Sequence, residues 1–231
     1  MEVNSQPTEG YAPPNDGHVD IVKVWLTIQG EGPQIGSPSV FIRLAGCNLQ
    51  CPFCDTDYTS SRTMYSPSEV VELVRATRRS GLVVLTGGEP IRQNIGPMIV
   101  ALLAADYRVQ IETNGVLYRD NIPWEKVVVV CSPKTPKIHP ELLPHINALK
   151  YVLAAGFVDE EDGLPTVTLG GMPPARPPDL HLAKSLSTIY IQPMDEQDPE
   201  LNQKHVEAAL ESCYRFDYLL CLQTHKFIGL E

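Results

Sequence analysis

Gly46-Cys47-Asn48-Leu49-Gln50-Cys51-Pro52-Phe53-Cys54-Asp55-Thr56 decides how the rest of the chain is read. Three cysteines fall within eight residues at a Cys-x3-Cys-x2-Cys spacing, and no fourth follows at short range. The others, Cys131, Cys213 and Cys221, are distant and sit in apolar runs that suit buried thiols. A disulfide framework needs an oxidising compartment and a dispersed, usually even cysteine set. A structural zinc site is closed by four ligands, commonly two Cys-x2-Cys pairs. Soft thiolates also select copper(I) or iron–sulfur clusters. Three thiolates with no near fourth suit a cubane whose last iron is open to an outside ligand, a catalytic arrangement. A three-cysteine zinc site, with Asp55 or Asp57 as the close fourth candidate, and no metal at all are the alternatives.

The chain around this loop has 231 residues, 43% hydrophobic and 20% charged, as expected of an ordinary globular protein with a sizeable core. Its net charge of -10 disfavours nucleic acid and anionic membrane as partners. No apolar run approaches the ~18 residues of a membrane span. The start, Met1 to Asn15, lacks the basic and apolar regions of a signal peptide, so clustered thiols imply a reducing cytoplasm.

Upstream of the loop, residues 1–18 read as a flexible, disordered lead-in, and 19–231 as one domain. Ile21 to Thr27 is a strand or edge ribbon, followed by a Gln29-Gly30-Glu31-Gly32-Pro33 turn. Ser39 to Leu44 is a core strand interrupted by Arg43, which needs an anionic partner, either an internal carboxylate or one on a substrate. Downstream, Ser66-Pro67-Ser68-Glu69 is a capping box opening a helix that Gly81 is expected to end. Leu82 to Thr86 is a buried strand running into Gly87-Gly88-Glu89-Pro90, and Pro97 to Ala105 a helix. Strands follow at Arg108–Thr113, Val127–Cys131, Ala148–Ala154, Thr188–Gln192 and Tyr218–Gln223, with a short helix near Glu141 to His145 and a long one over Pro199–Tyr214. Residues 156–185 break this rhythm and read as a lid-like loop insertion whose acidic run, Asp159 to Asp162, is a solvated face.

Alternating strands and helices predict a parallel α/β sheet with right-handed crossovers. Strand after strand ends in a polar or glycine motif, so parallel strands gather these motifs on one face. Six or seven strands are too few for an eightfold barrel. The expected fold is a partial β/α barrel of about six parallel strands, open on one side.

The cysteine spacing resembles the signature of the radical S-adenosylmethionine (SAM) superfamily, and Gly87-Gly88-Glu89-Pro90 resembles its second motif. Within that superfamily the chain resembles the 7-carboxy-7-deazaguanine synthases. The matching pieces are Thr27-Ile28-Gln29-Gly30-Glu31-Gly32, Phe41-Ile42-Arg43-Leu44, Cys54-Asp55-Thr56, Glu112-Thr113-Asn114-Gly115, Ser132-Pro133-Lys134, Gln192-Pro193 and Gln223-Thr224-His225-Lys226. Their order along the chain makes the set far more specific than any one tetrapeptide.

The resemblance implies that Cys47, Cys51 and Cys54 hold a [4Fe–4S] cluster whose open iron binds SAM. Reductive cleavage of SAM then gives a 5′-deoxyadenosyl radical, the cofactor doing the hard chemistry. It implies SAM contacts from Phe53, Cys54 and Asp55, from Gly88, from Ser132, Pro133 and Lys134, and from Gln192, Pro193, Met194 and Asp195. The implied substrate is 6-carboxy-5,6,7,8-tetrahydropterin, met by Ile28, Gln29, Gly30, Arg43, Thr86, His225 and the terminal Glu231, with Glu31, Glu112 and Asn114 as further pterin partners. Thr56 is the implied Mg²⁺ ligand. The implied reaction is hydrogen abstraction at the carbon bearing the carboxylate, ring contraction and ammonia loss, giving a 7-deazapurine precursor of the queuosine type. A homodimer and a flavodoxin or ferredoxin reductant are implied as partners. A different radical SAM enzyme, such as an activator of a glycyl-radical partner, shares the first two motifs but does not require Gln29 to Gly32 or the terminal Gln-Thr-His-Lys.

Overall fold

Period-two burial sets the architecture. In a computed structural model describing residues 4–13, 15–52, 54–79, 81–168, 171–176 and 188–230, nine strands form one sheet. Strand β1 (Val19–Ile28) is antiparallel to β2 (Pro38–Leu44), and the short β3 (Thr63–Tyr65) is antiparallel to β1 on its outer side. From β2 onward every ladder is parallel, through β4 (Gly81–Gly87), β5 (Tyr107–Thr113), β6 (Val127–Cys131), β7 (Ala148–Leu153), β8 (Thr188–Pro193) and β9 (Leu219–Leu220). The open, mainly parallel α/β sheet matches the expectation, with β9 as a two-residue addition to six longer parallel strands.

One face of each strand supplies the core: Ile42 on β2, Leu85 on β4, Ile111 on β5, Val129 on β6, Tyr151 on β7 and Ile191 on β8 are at most 1% exposed. Helices α1 (Pro67–Thr77), α2 (Gly96–Ala104) and α3 (Pro199–Phe216) cover that face through residues such as Val74, Ile99 and Ala209. The alternate residues of the same strands point the other way, into a cavity. Across the open side, the loop after β1 reaches the last strand: Gly32 N–H donates to Cys221 Sγ (3.3 Å) and Thr224 N–H to the Gly30 carbonyl (3.1 Å).

Helix α1 opens on the expected capping box, with Ser66 Oγ accepting from Glu69 N–H and Glu69 accepting from Ser66 N–H (2.7 Å). Ser66→Ala is expected to cost about 1 kcal/mol; an unchanged urea midpoint would remove the cap from this account. The helix ends at Thr77, with Arg78 as its extended cap, so Gly81 does not terminate it. Instead Gly81 opens β4 at a φ of 128°, where a Cβ would meet the Arg78 side chain.

Two further expectations change. Residues 4–12 are not a loose lead-in but lie along the cysteine loop, joined to it by backbone and side-chain hydrogen bonds. The described part of the insertion, 156–168 and 171–176, packs beside β7 and α3 rather than over the cavity. Arg176 pairs with Asp162 (2.8 Å) and Asp159 (3.4 Å), so these two acids are held rather than simply solvated. The same segment supports the loop after β6, through Ala175 N–H to the Thr135 carbonyl (2.7 Å) and Thr168 Oγ to the Lys134 carbonyl (3.1 Å). The remainder of the insertion, 169–170 and 177–185, lies outside the described residues, as do Phe53 and Glu231.

Candidate active site

The ends of the parallel strands surround a cavity of about 580 Å³. At its rim the cysteine loop follows β2, and Cys47, Cys51 and Cys54 all line the cavity as free, half-buried thiols. The loop is seated by the end of β4. Gly88 N–H donates to the Leu44 carbonyl (3.2 Å) and Glu89 N–H to the Gly46 carbonyl (3.0 Å). A Cβ at Gly88 would collide with that Gly46 carbonyl and crowd Cys47, which is why glycine stands there. Glu89 is fully buried and joins β4 to β5 by accepting from Thr113 Oγ (2.8 Å), Asn114 N–H (2.8 Å) and Ile91 N–H (3.0 Å). Burial pushes its carboxyl up to about 7, against the pull of those donors. Asn114 then reaches back, donating from Nδ2 to Asn48 Oδ1 in the cysteine loop (2.8 Å).

Deeper in the cavity, polar groups replace the apolar alternation. Three donors converge on the Glu112 carboxylate: Gln29 Nε2 (3.0 Å), Thr86 Oγ (3.1 Å) and Gln110 Nε2 (3.3 Å). Arg43 also lines the cavity, its guanidinium 5.1 Å from the centre of the Trp25 ring. Glu31 pairs with Lys150 from β7 and accepts from Gln223 Nε2 (2.9 Å). Burial works to raise the Glu31 pKa, but the charge and hydrogen bond of Lys150 outweigh it and hold the carboxyl below its ordinary value. Lys150 is correspondingly raised: burial opposes its charge, and Glu31 and Glu112 overcome that.

Lys134 is different. Its ammonium donates to Ser132 Oγ (3.1 Å), and burial, then the nearby Lys150 charge, lowers its pKa. It also lines the cavity. Asp195 is held by Lys226 Nζ (2.6 Å), Asn202 Nδ2 (2.8 Å) and Gln197 N–H (2.9 Å), which bring its pKa to about 2. His225 sits against Gly30 so closely that a Cβ there would strike its Nδ1, and burial lowers the imidazole pKa.

The donor set fits an iron–sulfur cluster. Three soft thiols stand together at the cavity mouth, while Cys131 and Cys213 are buried in the core and Cys221 accepts from Gly32. Burial raises all three loop thiols, Cys47 to about 12, so loading must displace their protons. Among the described residues, no three His, Cys, Asp or Glu side chains gather tightly enough for a single ion. A cubane, whose ligand sulfurs sit on separate irons, makes no such demand. Asp57, one candidate for closing a zinc site, is engaged by Thr59 N–H (3.0 Å) and Ser60 N–H (3.1 Å) of its own turn.

Most of the residues expected at the site meet at this cavity. The cysteines, Asp55, Thr56 and Gly88 lie toward its rim, and Ser132, Lys134, Gln192, Met194 and Asp195 toward the β6 and β8 ends. Ile28, Gln29, Arg43, Thr86 and His225 line it from the β1, β2, β4 and α4 (Thr224–Phe227) sides. Gly30, Pro133 and Pro193 are close by in sequence but are not part of the lining. Sequence reasoning missed Lys150, Gln110 and Asn48. A lysine in the middle of Ala148-Leu149-Lys150-Tyr151-Val152-Leu153 carries the same signal as Arg43 and was open to the same argument.

Comparison with known proteins agrees with this geometry. Residues 41–130 match the model of the radical SAM superfamily. A 7-carboxy-7-deazaguanine synthase from Rhodospirillum rubrum is 43% identical over 231 residues, covering 97% of each chain. One from Rickettsia prowazekii is 38% identical over 249 residues, covering 100% of this chain and 99% of its own. The crystal structure of QueE from Escherichia coli shares the fold, with a TM-score of 0.66 at 22% identity over 89% of this chain and 93% of that one. The chain belongs to the 7-carboxy-7-deazaguanine synthase family of the radical SAM superfamily.

Proposed function

We propose that this chain is a carbon–nitrogen lyase that converts 6-carboxy-5,6,7,8-tetrahydropterin to 7-carboxy-7-deazaguanine, by ring contraction with loss of ammonia. The observation that carries the proposal is the placement of three free thiols at the rim of a cavity whose wall offers both cations and carboxylates. When bound, a [4Fe–4S] cluster and SAM supply one-electron cleavage chemistry and a hydrogen-abstracting carbon radical. Cys47, Cys51 and Cys54 hold the cluster. Gly88, Ser132, Lys134, Gln192, Met194 and Asp195 hold SAM across the strand ends. Arg43 takes the pterin carboxylate, a match for its planar pair of donors. Glu112, oriented by its three donors, accepts from the N–H groups of the pterin, and Gln29 and His225 complete that edge.

Thr56 is the proposed Mg²⁺ ligand, its hydroxyl donating to Asp55 Oδ1 (3.2 Å). Mg²⁺ keeps several waters and needs few protein oxygens, so one threonine beside a substrate carboxylate suffices. Thr56→Ala is expected to lose the response of turnover to magnesium while retaining its iron. An equal response in variant and wild type rejects the assignment. The proposal further includes a homodimer, a flavodoxin or ferredoxin as reductant, and a reducing cytoplasm that keeps the thiols free. Among the described residues no helix is long and apolar enough to cross a membrane.

The test is turnover. The chain, loaded with iron and sulfide without oxygen, is incubated with SAM, a reductant and the carboxypterin. Formation of the deazaguanine acid with release of ammonia is expected. SAM cleavage with the pterin untouched would keep the superfamily chemistry and discard this substrate.

A further inference from the structure

The segment expected to be a disordered lead-in is hydrogen-bonded along the cysteine loop. Asn4 N–H donates to the Pro52 carbonyl (2.8 Å) and its Nδ2 to the Cys51 carbonyl (3.1 Å). Thr8 bridges Cys47 in parallel, and Glu9 N–H donates to the Cys47 carbonyl (2.6 Å). Gln6 acts as a side-chain substitute for a strand neighbour. Its Nε2 donates to the Thr56 carbonyl (2.9 Å), its Oε1 accepts from Tyr58 N–H (2.8 Å), and its carbonyl accepts from Gln50 Nε2 (2.7 Å). Backbone carbonyls of two cysteines and the residues on either side of the loop are therefore fixed by one short stretch of chain.

The strap also carries a charge. Arg92 is buried beneath the loop, its Nη1 donating to the Ala45 carbonyl (3.0 Å) and standing 2.6 Å from where a Gly46 Cβ would be. Its Nε donates to the Gly10 carbonyl (3.1 Å), and its Nη2 to Glu9 Oε2 (2.8 Å). Glu9 also pairs with Arg62 (2.6 Å). Without Glu9, a buried guanidinium next to Gly46 and Cys47 would lose its ion-pair carboxylate, a costly arrangement.

We propose that residues 4–12 belong to the metal centre as its outer shell. Asn4 and Gln6 fix the loop that presents the thiols, and Glu9 neutralises Arg92 beneath it. These are positioning residues, acting through the loop and not on the substrate. The proposal rests on reading Cys47, Cys51 and Cys54 as cluster ligands. A cluster's outer shell controls its retention, and the charges around it set its potential.

The test compares wild type, Gln6→Ala and Glu9→Gln, each as the full chain. In the unloaded protein, amide exchange over residues 47–58 is expected to speed up in Gln6→Ala. After loading, both variants are expected to release iron to a chelator about ten-fold faster, in Gln6→Ala without a matching fall in thermal midpoint. Glu9→Gln leaves the guanidinium of Arg92 without its carboxylate, which favours the more negative, reduced cluster. Its midpoint potential is therefore expected to move in the positive direction. Unchanged exchange, or iron release within about two-fold of wild type with an unmoved potential, overturns the proposal. So does faster release in Gln6→Ala that merely tracks a general loss of stability. A wild-type chain that takes up no iron overturns the cluster reading instead, and the exchange experiment still shows whether the strap holds the loop.

Discussion

Cys47→Ala, Cys51→Ala and Cys54→Ala are each expected to reduce turnover to below about one hundredth of wild type, since outer-shell changes alone cost 10–100-fold at metal sites. Each should also lose most of its iron. The fold should persist, because the three side chains are only partly buried and none belongs to the core. Alanine at Cys131 or Cys213 should show the opposite pattern, some loss of stability with iron retained, since these thiols are packed among apolar neighbours. Iron content and thermal midpoint, measured on all five variants, separate the two classes. Iron retained in any of the loop variants would contradict the assignment of that cysteine. A pH effect follows from burial. The loop thiols are raised, so their protons must leave before iron binds, and loading of the apo chain is expected to speed up as pH rises.

Lys150→Met is expected to destabilise the chain by about 3–5 kcal/mol, because it leaves Glu31 charged in a buried place. Both side chains of this pair are 12% exposed, so solvent screening does little to soften the loss. Glu31 in the wild type is held below its ordinary value of 4.5, so the pair stabilises above that pH and fades as pH falls through the lowered value. In the variant burial acts on Glu31 without Lys150, and its pKa rises. The difference between variant and wild type should therefore be largest near neutral pH and shrink in acid. Adding Glu31→Gln should recover much of the loss, since the buried charge is then gone. Denaturant unfolding of the single and double variants at two pH values tests this. A double variant no more stable than Lys150→Met would mean that the lysine acts by packing and not by charge.

What the sequence made legible was local. The cysteine loop, the two glycines after β4 and the polar strand ends carry their chemistry within a few residues, and parallel strands collect them without further information. The capping box at Ser66 is likewise self-contained. What stayed hidden depends on partners far along the chain. Glu31 and Lys150 are 119 residues apart, and neither sequence neighbourhood names the other. The N-terminal strap has the composition of a loose tail, yet its order comes from carbonyls that the cysteine loop leaves exposed, which no property of residues 4–12 reveals. Gly81 follows α1 at a spacing that suits a helix terminator, but the tertiary need is a strand start beside Arg78. The acidic run near residue 160 looked solvated because Arg176, the partner of Asp159 and Asp162, lies in a proline-rich stretch that gave no sign of returning.

In the proposed function, one cavity brings the chemistry of the cysteine loop to bear on a carboxypterin held by Arg43 and Glu112. The most direct measurement is to supply the carboxypterin with deuterium at the carbon bearing its carboxylate and to follow the label by mass spectrometry. Deuterium is expected to leave the pterin and appear in the adenosyl group derived from SAM, with deazaguanine acid formed in parallel. Deuterium retained at that carbon, or lost only to water while SAM-derived product stays unlabelled, would contradict it.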